Sequence, residues 1–236
     1  MGKNKLKKFS EMETLPCVLQ YPFARVRAEG FPLKGKWGSE YFHNDHPIVL
    51  ELGCGKGEYT VGLAERYADR NYIGLDIKGA RMWHGATQAD ERHMDNVAFL
   101  RTNIELLPYF FAPGEVSEIW ITFPDPQMKK VRKRLTSTRF VNLYRQVCKH
   151  DAVIRLKTDS PFLYTYTCDM LEANGITPSG RTSDLYGAEA STDLPDGLKE
   201  IRTYYEQQWL SRGLTIKYLG FNIPAADIAN EPETEP

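Results

Sequence analysis

Ile48-Val49-Leu50-Glu51-Leu52-Gly53-Cys54-Gly55-Lys56-Gly57-Glu58 is the stretch that decides the fold. Its first five residues are almost wholly apolar, as in a strand buried on both faces. The glycines that follow permit a tight turn and leave bare backbone beside a ligand. A helix is predicted from Glu58 to Ala68, where Val61, Ala64 and Ala68 share one face. Strand, glycine loop and helix in this order open a nucleotide-binding βαβ unit. The spacing Gly-x-Gly-x-Gly, with Glu58 in sixth place, departs from the dinucleotide fingerprint, which argues against a nicotinamide dehydrogenase. Lys56 precedes glycine rather than Ser or Thr, so the loop is no Walker A element either. Glycines serving only strand–helix packing are the plain alternative.

Outward from the loop the alternation continues. Apolar runs at Asn71–Asp76, Val97–Arg101, Glu118–Phe123 and Ala152–Lys157 read as strands. Helices are predicted over Gly79–Met94, near Ile104–Phe111, over Ser137–Lys149 and over Pro161–Asn174, the last with Ser160 as N-cap. A helix around Leu198–Leu210 leads to a closing strand at Leu214–Phe221. Such alternation implies an α/β fold, with a mostly parallel sheet and helices on both faces. Residues 1–15, with Lys3, Lys5, Lys7 and Lys8, read as a loose basic tail. Residues 16–221 read as one domain, opened by an irregular aromatic-rich extension over 16–47. Residues 222–236 read as an acidic, proline-punctuated disordered tail.

The 236 residues are 42% hydrophobic, enough for one core, and 30 basic against 31 acidic side chains leave a net charge of −1. Polyanion binding must therefore come from local patches. Cys17, Cys54, Cys148 and Cys168 are widely spaced, so neither a disulfide framework nor a zinc site is expected, and the histidines offer no metal clamp. With no apolar leader and no membrane-length apolar run, a soluble cytoplasmic protein with no membrane partner is expected. Its assembly stays open between monomer and homodimer.

Asp76 ends the second strand roughly twenty residues beyond Gly55, where an acid hydrogen-bonds ribose hydroxyls. Asn103 follows the third strand, with an amide suited to an adenine edge. Glu51 lies beside the loop. Two acids ill suit an anionic pyrophosphate but suit a cationic amino acid–nucleoside such as S-adenosylmethionine. Further on, Ile119-Trp120-Ile121-Thr122-Phe123 runs into Pro124-Asp125-Pro126, then Lys129, Lys130, Arg132, Lys133 and Arg134. Ligands bind outside the carboxyl ends of strands in such sheets. A lone acid there, beside cations, points to chemistry on a polyanion, although Pro-Asp-Pro is also ordinary turn chemistry.

Together these residues resemble the bacterial tRNA (guanine-N7)-methyltransferase family. The Ile48–Glu58 stretch is similar to the opening motif of class I methyltransferases, and the likeness extends through Thr158-Asp159 and Thr203-Tyr204-Tyr205-Glu206. The family usually has Asp-Pro-Trp-x-Lys-Lys-Arg-His, where this chain has Gln127 for Trp and Val131-Arg132 after the lysines. Asn103 stands where aspartate is common. The resemblance implies a Rossmann-like class I methyltransferase fold, with a seven-stranded sheet and an antiparallel C-terminal strand. It implies methyl transfer from S-adenosylmethionine to N7 of a guanosine in the tRNA variable loop. Cofactor contacts are implied for Glu51, Gly53, Gly55, Asp76, Asn103 and Asp125, with Asp125 also catalytic. Substrate contacts are implied for Lys129, Asp159, Thr203, Tyr204, Tyr205 and Glu206, and RNA contacts for Lys130, Arg132, Lys133 and Arg134. The rivals are a methyltransferase of a protein or small molecule, and an inert RNA-binding relative.

Overall fold

The computed structural model describes residues 2–187 and 194–232. Its strands are β1 (Val18–Gln20), β2 (Ile48–Leu52), β3 (Asn71–Asp76), β4 (Val97–Arg101), β5 (Val116–Thr122), β6 (Cys148–Thr158), β7 (Pro178–Thr182) and β8 (Lys217–Asn222). They form one sheet in the order β1-β4-β3-β2-β5-β6-β8-β7. The first six run parallel, and β8 pairs antiparallel with both β6 and β7. The helices are α1 (Gly2–Met12), α2 (Phe23–Glu29), α3 (Glu58–Arg66), α4 (Gly79–Glu91), α5 (Leu107–Phe110), α6 (Thr138–Arg145), α7 (Pro161–Ala173) and α8 (Tyr204–Ser211).

Alternation along each strand sorts the side chains onto two faces. Leu50, Leu52, Ile73, Leu75, Ile119, Ile121, Ile154 and Leu156 enter one core with residues of α5, α6 and α7. Val49, Tyr72, Phe99 and Trp120 face the other way, against Tyr59, Val61, Met82 and Ala86 of α3 and α4. Glu51 of β2, two residues from Val49, shares this second face. So does Thr122 of β5, two residues from Trp120.

The loop glycines divide by role. A Cβ on Gly57 would lie 2.6 Å from Phe99 Cε1, and its φ is +74°, so this glycine is demanded by packing and by backbone alike. Gly53 is exposed with open space around it, and a Cβ on Gly55 would meet only a carbonyl at 3.9 Å. The packing reading therefore holds for Gly57, and packing does not account for Gly53 or Gly55.

The sheet has eight strands among the described residues, one more than expected. The short β1 lies inside the irregular extension, and β7, Pro-Ser-Gly-Arg-Thr, is an edge strand without apolar alternation. The extension's aromatics are mostly core: Phe31, Trp37 and Phe42 are buried, and Trp37 Nε1 donates to the Phe110 carbonyl. Both tails depart from the loose reading. Helix α1 docks on α4 through the fully buried Met12 and through Trp83 Nε1, which donates to Glu11 at 2.7 Å. Beyond β8, Ile223 and Ile228 are buried and Asn142 of α6 exchanges two hydrogen bonds with Ile228. Residues 233–236 lie outside the described residues.

Gly57→Ala is expected to cost about 2–4 kcal/mol, combining backbone strain with overpacking against Phe99. Gly114→Ala has a similar φ of +74° but meets nothing within 4 Å, so it should lose only the strain component. Urea unfolding of both variants measures the difference. Equal losses would remove the Phe99 contact as a cause.

Candidate active site

After β2 the chain builds outward through β3 and β4 on one side, then returns to place β5 and β6 on the other. The strand order reverses between β2 and β5, and a crevice at the carboxyl ends there is the binding position of such sheets. The predicted residues stand along that edge in spatial order. Asn103 follows β4, Asp76 ends β3, the glycine loop follows β2, Asp125 follows β5 and Asp159 follows β6.

Glu51 is buried, and its carboxylate is fully engaged. One oxygen accepts from Thr60 N (2.8 Å) and Thr60 Oγ1 (2.5 Å), the other from Thr122 Oγ1 (2.7 Å). Burial raises its pKa from 4.5 to about 7, against the lowering effect of those hydrogen bonds. Asp76 spans the loop: Oδ2 accepts from Gly55 N at 3.0 Å and Oδ1 from Lys78 N at 2.7 Å. It therefore fixes the glycine backbone as well as presenting a carboxylate. Asn103 is exposed in the wall of a pocket of about 710 Å³, with Ile77, Thr102 and residues of the N-terminal extension.

The Asp125 loop is tightly wound. Phe123 and Gln127 both have φ of +48°, in the left-handed region that non-glycine residues rarely enter. Asp125 is exposed, and its Oδ1 accepts from Gln127 N at 3.0 Å. The turn reading thus holds for Oδ1, while Oδ2 accepts no hydrogen bond among the described residues. Lys129, Lys130, Arg132 and Lys133 are exposed around the single turn Val131–Lys133. Arg134 is not. It is fully buried, so the expected RNA contact is corrected: its guanidinium faces the loop's own carbonyls rather than solvent.

The Thr203–Glu206 segment divides likewise. Thr203 is buried and caps α8, accepting from Glu206 N. Glu206, expected against substrate, is fully buried and pairs with Lys157 of β6 at 2.8 Å. Tyr186 Oη also donates to it at 2.7 Å. Burial lowers the Lys157 pKa to about 8, with Glu206 opposing. Tyr204 and Tyr205 are exposed. Tyr204 N donates to the Glu58 carboxylate, and Lys56 Nζ lies 4.0 Å from the Tyr204 ring centre, so α8 leans on the glycine loop. Asp159 is half-buried, and its carboxylate accepts no hydrogen bond among the described residues. The Lys157 pairing was missed from sequence, although a lysine closing an apolar strand was the available signal.

A protein-family model described as a putative methyltransferase matches residues 45–219. The chain is 57% identical over 235 residues to the tRNA (guanine-N(7)-)-methyltransferase of Bacteroides thetaiotaomicron, covering 100% of this chain and 92% of that protein. It is 60% identical over 227 residues to the same-named protein of Porphyromonas gingivalis, covering 95% and 92%. The chain belongs to the tRNA (guanine-N7)-methyltransferase family. Among solved structures, the 16S rRNA methyltransferase KamB matches with a TM-score of 0.59 and 16% identity, covering 87% of this chain and 95% of that one; this likeness is one of fold. Within the family's matched region lie the glycine loop, the Pro-Asp-Pro loop and Tyr204–Glu206.

The raised Glu51 pKa has a signed consequence. Its stabilising contribution is complete below the ordinary carboxylate value of 4.5 and is lost as pH rises through about 7. Relative to Glu51→Gln, the wild type should lose up to about 3 kcal/mol between pH 5 and 8. Thermal melts of both across that range test it, and a pH-independent difference would mean Glu51 does not titrate there.

Proposed function

We propose that this protein transfers the methyl group of S-adenosylmethionine to N7 of a guanosine in the tRNA variable loop. The observation that carries the reading is the row of acids along the crevice, ending beside an exposed cationic turn, in a chain 57–60% identical to tRNA (guanine-N(7)-)-methyltransferases. The donor set fits a cationic cofactor. Asp76 and Asp125 offer carboxylates at the edge, Glu51 underlies the loop, and Gly53 and Gly55 leave bare backbone beside the crevice. Asn103 and its pocket suit the adenine end. S-adenosylmethionine, when bound, supplies an electrophilic methyl group on a sulfonium.

Guanine N7 carries a lone pair and no proton. No side chain has to act as a base on it, and the protein's task is orientation, worth up to roughly 7–11 kcal/mol in well-aligned systems. Asp125 Oδ2, which accepts no hydrogen bond among the described residues, accepts from the guanine's N–H edge, and its negative charge favours the purine as it becomes cationic. Asp159 is a second acceptor at the neighbouring strand end. Tyr204 and Tyr205 offer ring faces beside the loop. Lys129 reaches into the substrate side, while Lys130, Arg132 and Lys133 meet phosphates and set register. A cytoplasmic setting follows from this substrate, and no helix among the described residues is long and apolar enough to cross a membrane.

Incubation of labelled S-adenosylmethionine with tRNA lacking the modification should place label in 7-methylguanosine. Label in another nucleoside, or none from protein that binds the cofactor, would overturn the assignment. Asp125→Ala should abolish transfer and leave tRNA binding nearly intact; full activity would remove Asp125 from the mechanism. Neutralising Lys130, Arg132 and Lys133 should lower the log–log salt slope of tRNA binding by about 0.7–0.9 per lost contact. An unchanged slope would put the RNA elsewhere.

A further inference from the structure

Arg134 closes the run of five cations, yet none of its side chain reaches solvent. Nη2 donates to the Met128 carbonyl at 2.9 Å, and Nε makes a longer bond to the Gln127 carbonyl at 3.4 Å. The guanidinium plane packs against the rings of Phe162 and Tyr166 in α7, 4.6 and 4.3 Å from their centres. A planar fork between two rings and two carbonyls is arginine's geometry and not lysine's. Those carbonyls belong to the loop that carries Asp125. Gln127 is the residue held at positive φ, and its N–H is the one bonded to the Asp125 carboxylate. Backbone in such a conformation persists only where its surroundings fix it.

The far side of the clasp reaches the C-terminal segment. Tyr166 Oη donates to Glu231 Oε2 at 2.5 Å. The other Glu231 oxygen accepts from Thr138 N (2.8 Å) and Thr138 Oγ1 (2.6 Å), where a carboxylate complements the exposed N–H groups opening α6. Glu231 thereby ties α6 to α7 at the ring against which Arg134 packs. A chain of contacts runs from the tail to the active-site acid.

We propose that Arg134 is a positioning residue that clamps the Pro124–Met128 loop so that Asp125 faces the crevice, and that Glu231 braces this clamp through Tyr166. The proposal deepens the methyltransferase reading and rests on it for its kinetic consequence. Its sign is opposite to a phosphate contact: loss of Arg134 affects turnover, not grip on RNA.

The test compares wild type with Arg134→Lys, Arg134→Met and Glu231→Gln, each normalised to cofactor-binding sites so that unfolded protein is not counted. Arg134→Lys should lower kcat about ten- to a hundredfold, the cost of a small misplacement, with KM for tRNA and the salt slope unchanged. Glu231→Gln should lower kcat in the same direction but less. Retained kcat in Arg134→Lys overturns the proposal. So does a salt slope reduced by about 0.7–0.9 in Arg134→Met and restored in Arg134→Lys, which would make Arg134 a phosphate contact. Should the Arg134 variants fail to fold, Glu231→Gln and Tyr166→Phe keep the arginine, and unchanged kcat in both overturns the brace and the clamp together. Hydrogen exchange of amides 123–130 gives a readout independent of activity. Exchange should rise in Arg134→Lys and Glu231→Gln, and unchanged exchange overturns the clamp even where wild type makes no 7-methylguanosine. In that last case the methyltransferase reading fails separately.

Discussion

The carboxylate of Glu51, held by Thr60 and Thr122, is the interaction on which the crevice depends. It joins three elements at the point where strand order reverses: β2, which carries it, α3 after the glycine loop, and β5 before the Pro-Asp-Pro loop. A buried carboxylate without partners is costly, so the three hydrogen bonds fix the elements relative to one another. The same burial leaves a group whose proton is exchangeable near neutral pH, beside the place where a cationic ligand fits. Asp76 repeats the logic one strand away by holding Gly55 N.

Two further buried ionic groups flank this centre, and each secures one of its walls. Lys157 and Glu206 have no solvent exposure and lock the start of α8 to β6, so Tyr204 stands over Lys56. Removing one partner of such a pair is far worse than lacking both, because the remaining charge stays buried. Arg134 does the corresponding work for the Asp125 loop, through carbonyls of that loop and the rings of Phe162 and Tyr166. Lys129, Lys130, Arg132 and Lys133 of the same run stay exposed to solvent.

Much of this was legible in the chain. The bounds of β2, β3 and β4 follow from apolar runs that only a strand buried on both faces supports. Pro161 and Ser160 mark the start of α7, and Ser160 Oγ does accept from Leu163 N. The row of Asn103, Asp76, Asp125 and Asp159 follows from the same pattern, since parallel strands present their carboxyl ends together. The edge strand β7 escaped because Pro-Ser-Gly-Arg-Thr has no alternation to detect. Helix α8 starts later than the apolar pattern allows because Thr203 caps it there.

The sequence by itself determined the fold class, the order of elements and the identity of the acids at the strand ends, because apolar period and glycine position act over a few residues. Tertiary structure alone decided which charges meet solvent. Arg134 and Lys133 are adjacent and chemically alike, yet one is enclosed by Phe162 and Tyr166 and the other is exposed. Glu206 and Tyr205 part in the same way, and Glu231 gains a role only because the tail crosses α6 and α7. Burial depends on residues distant in the chain, and no local pattern encodes which neighbours a folded surface will supply.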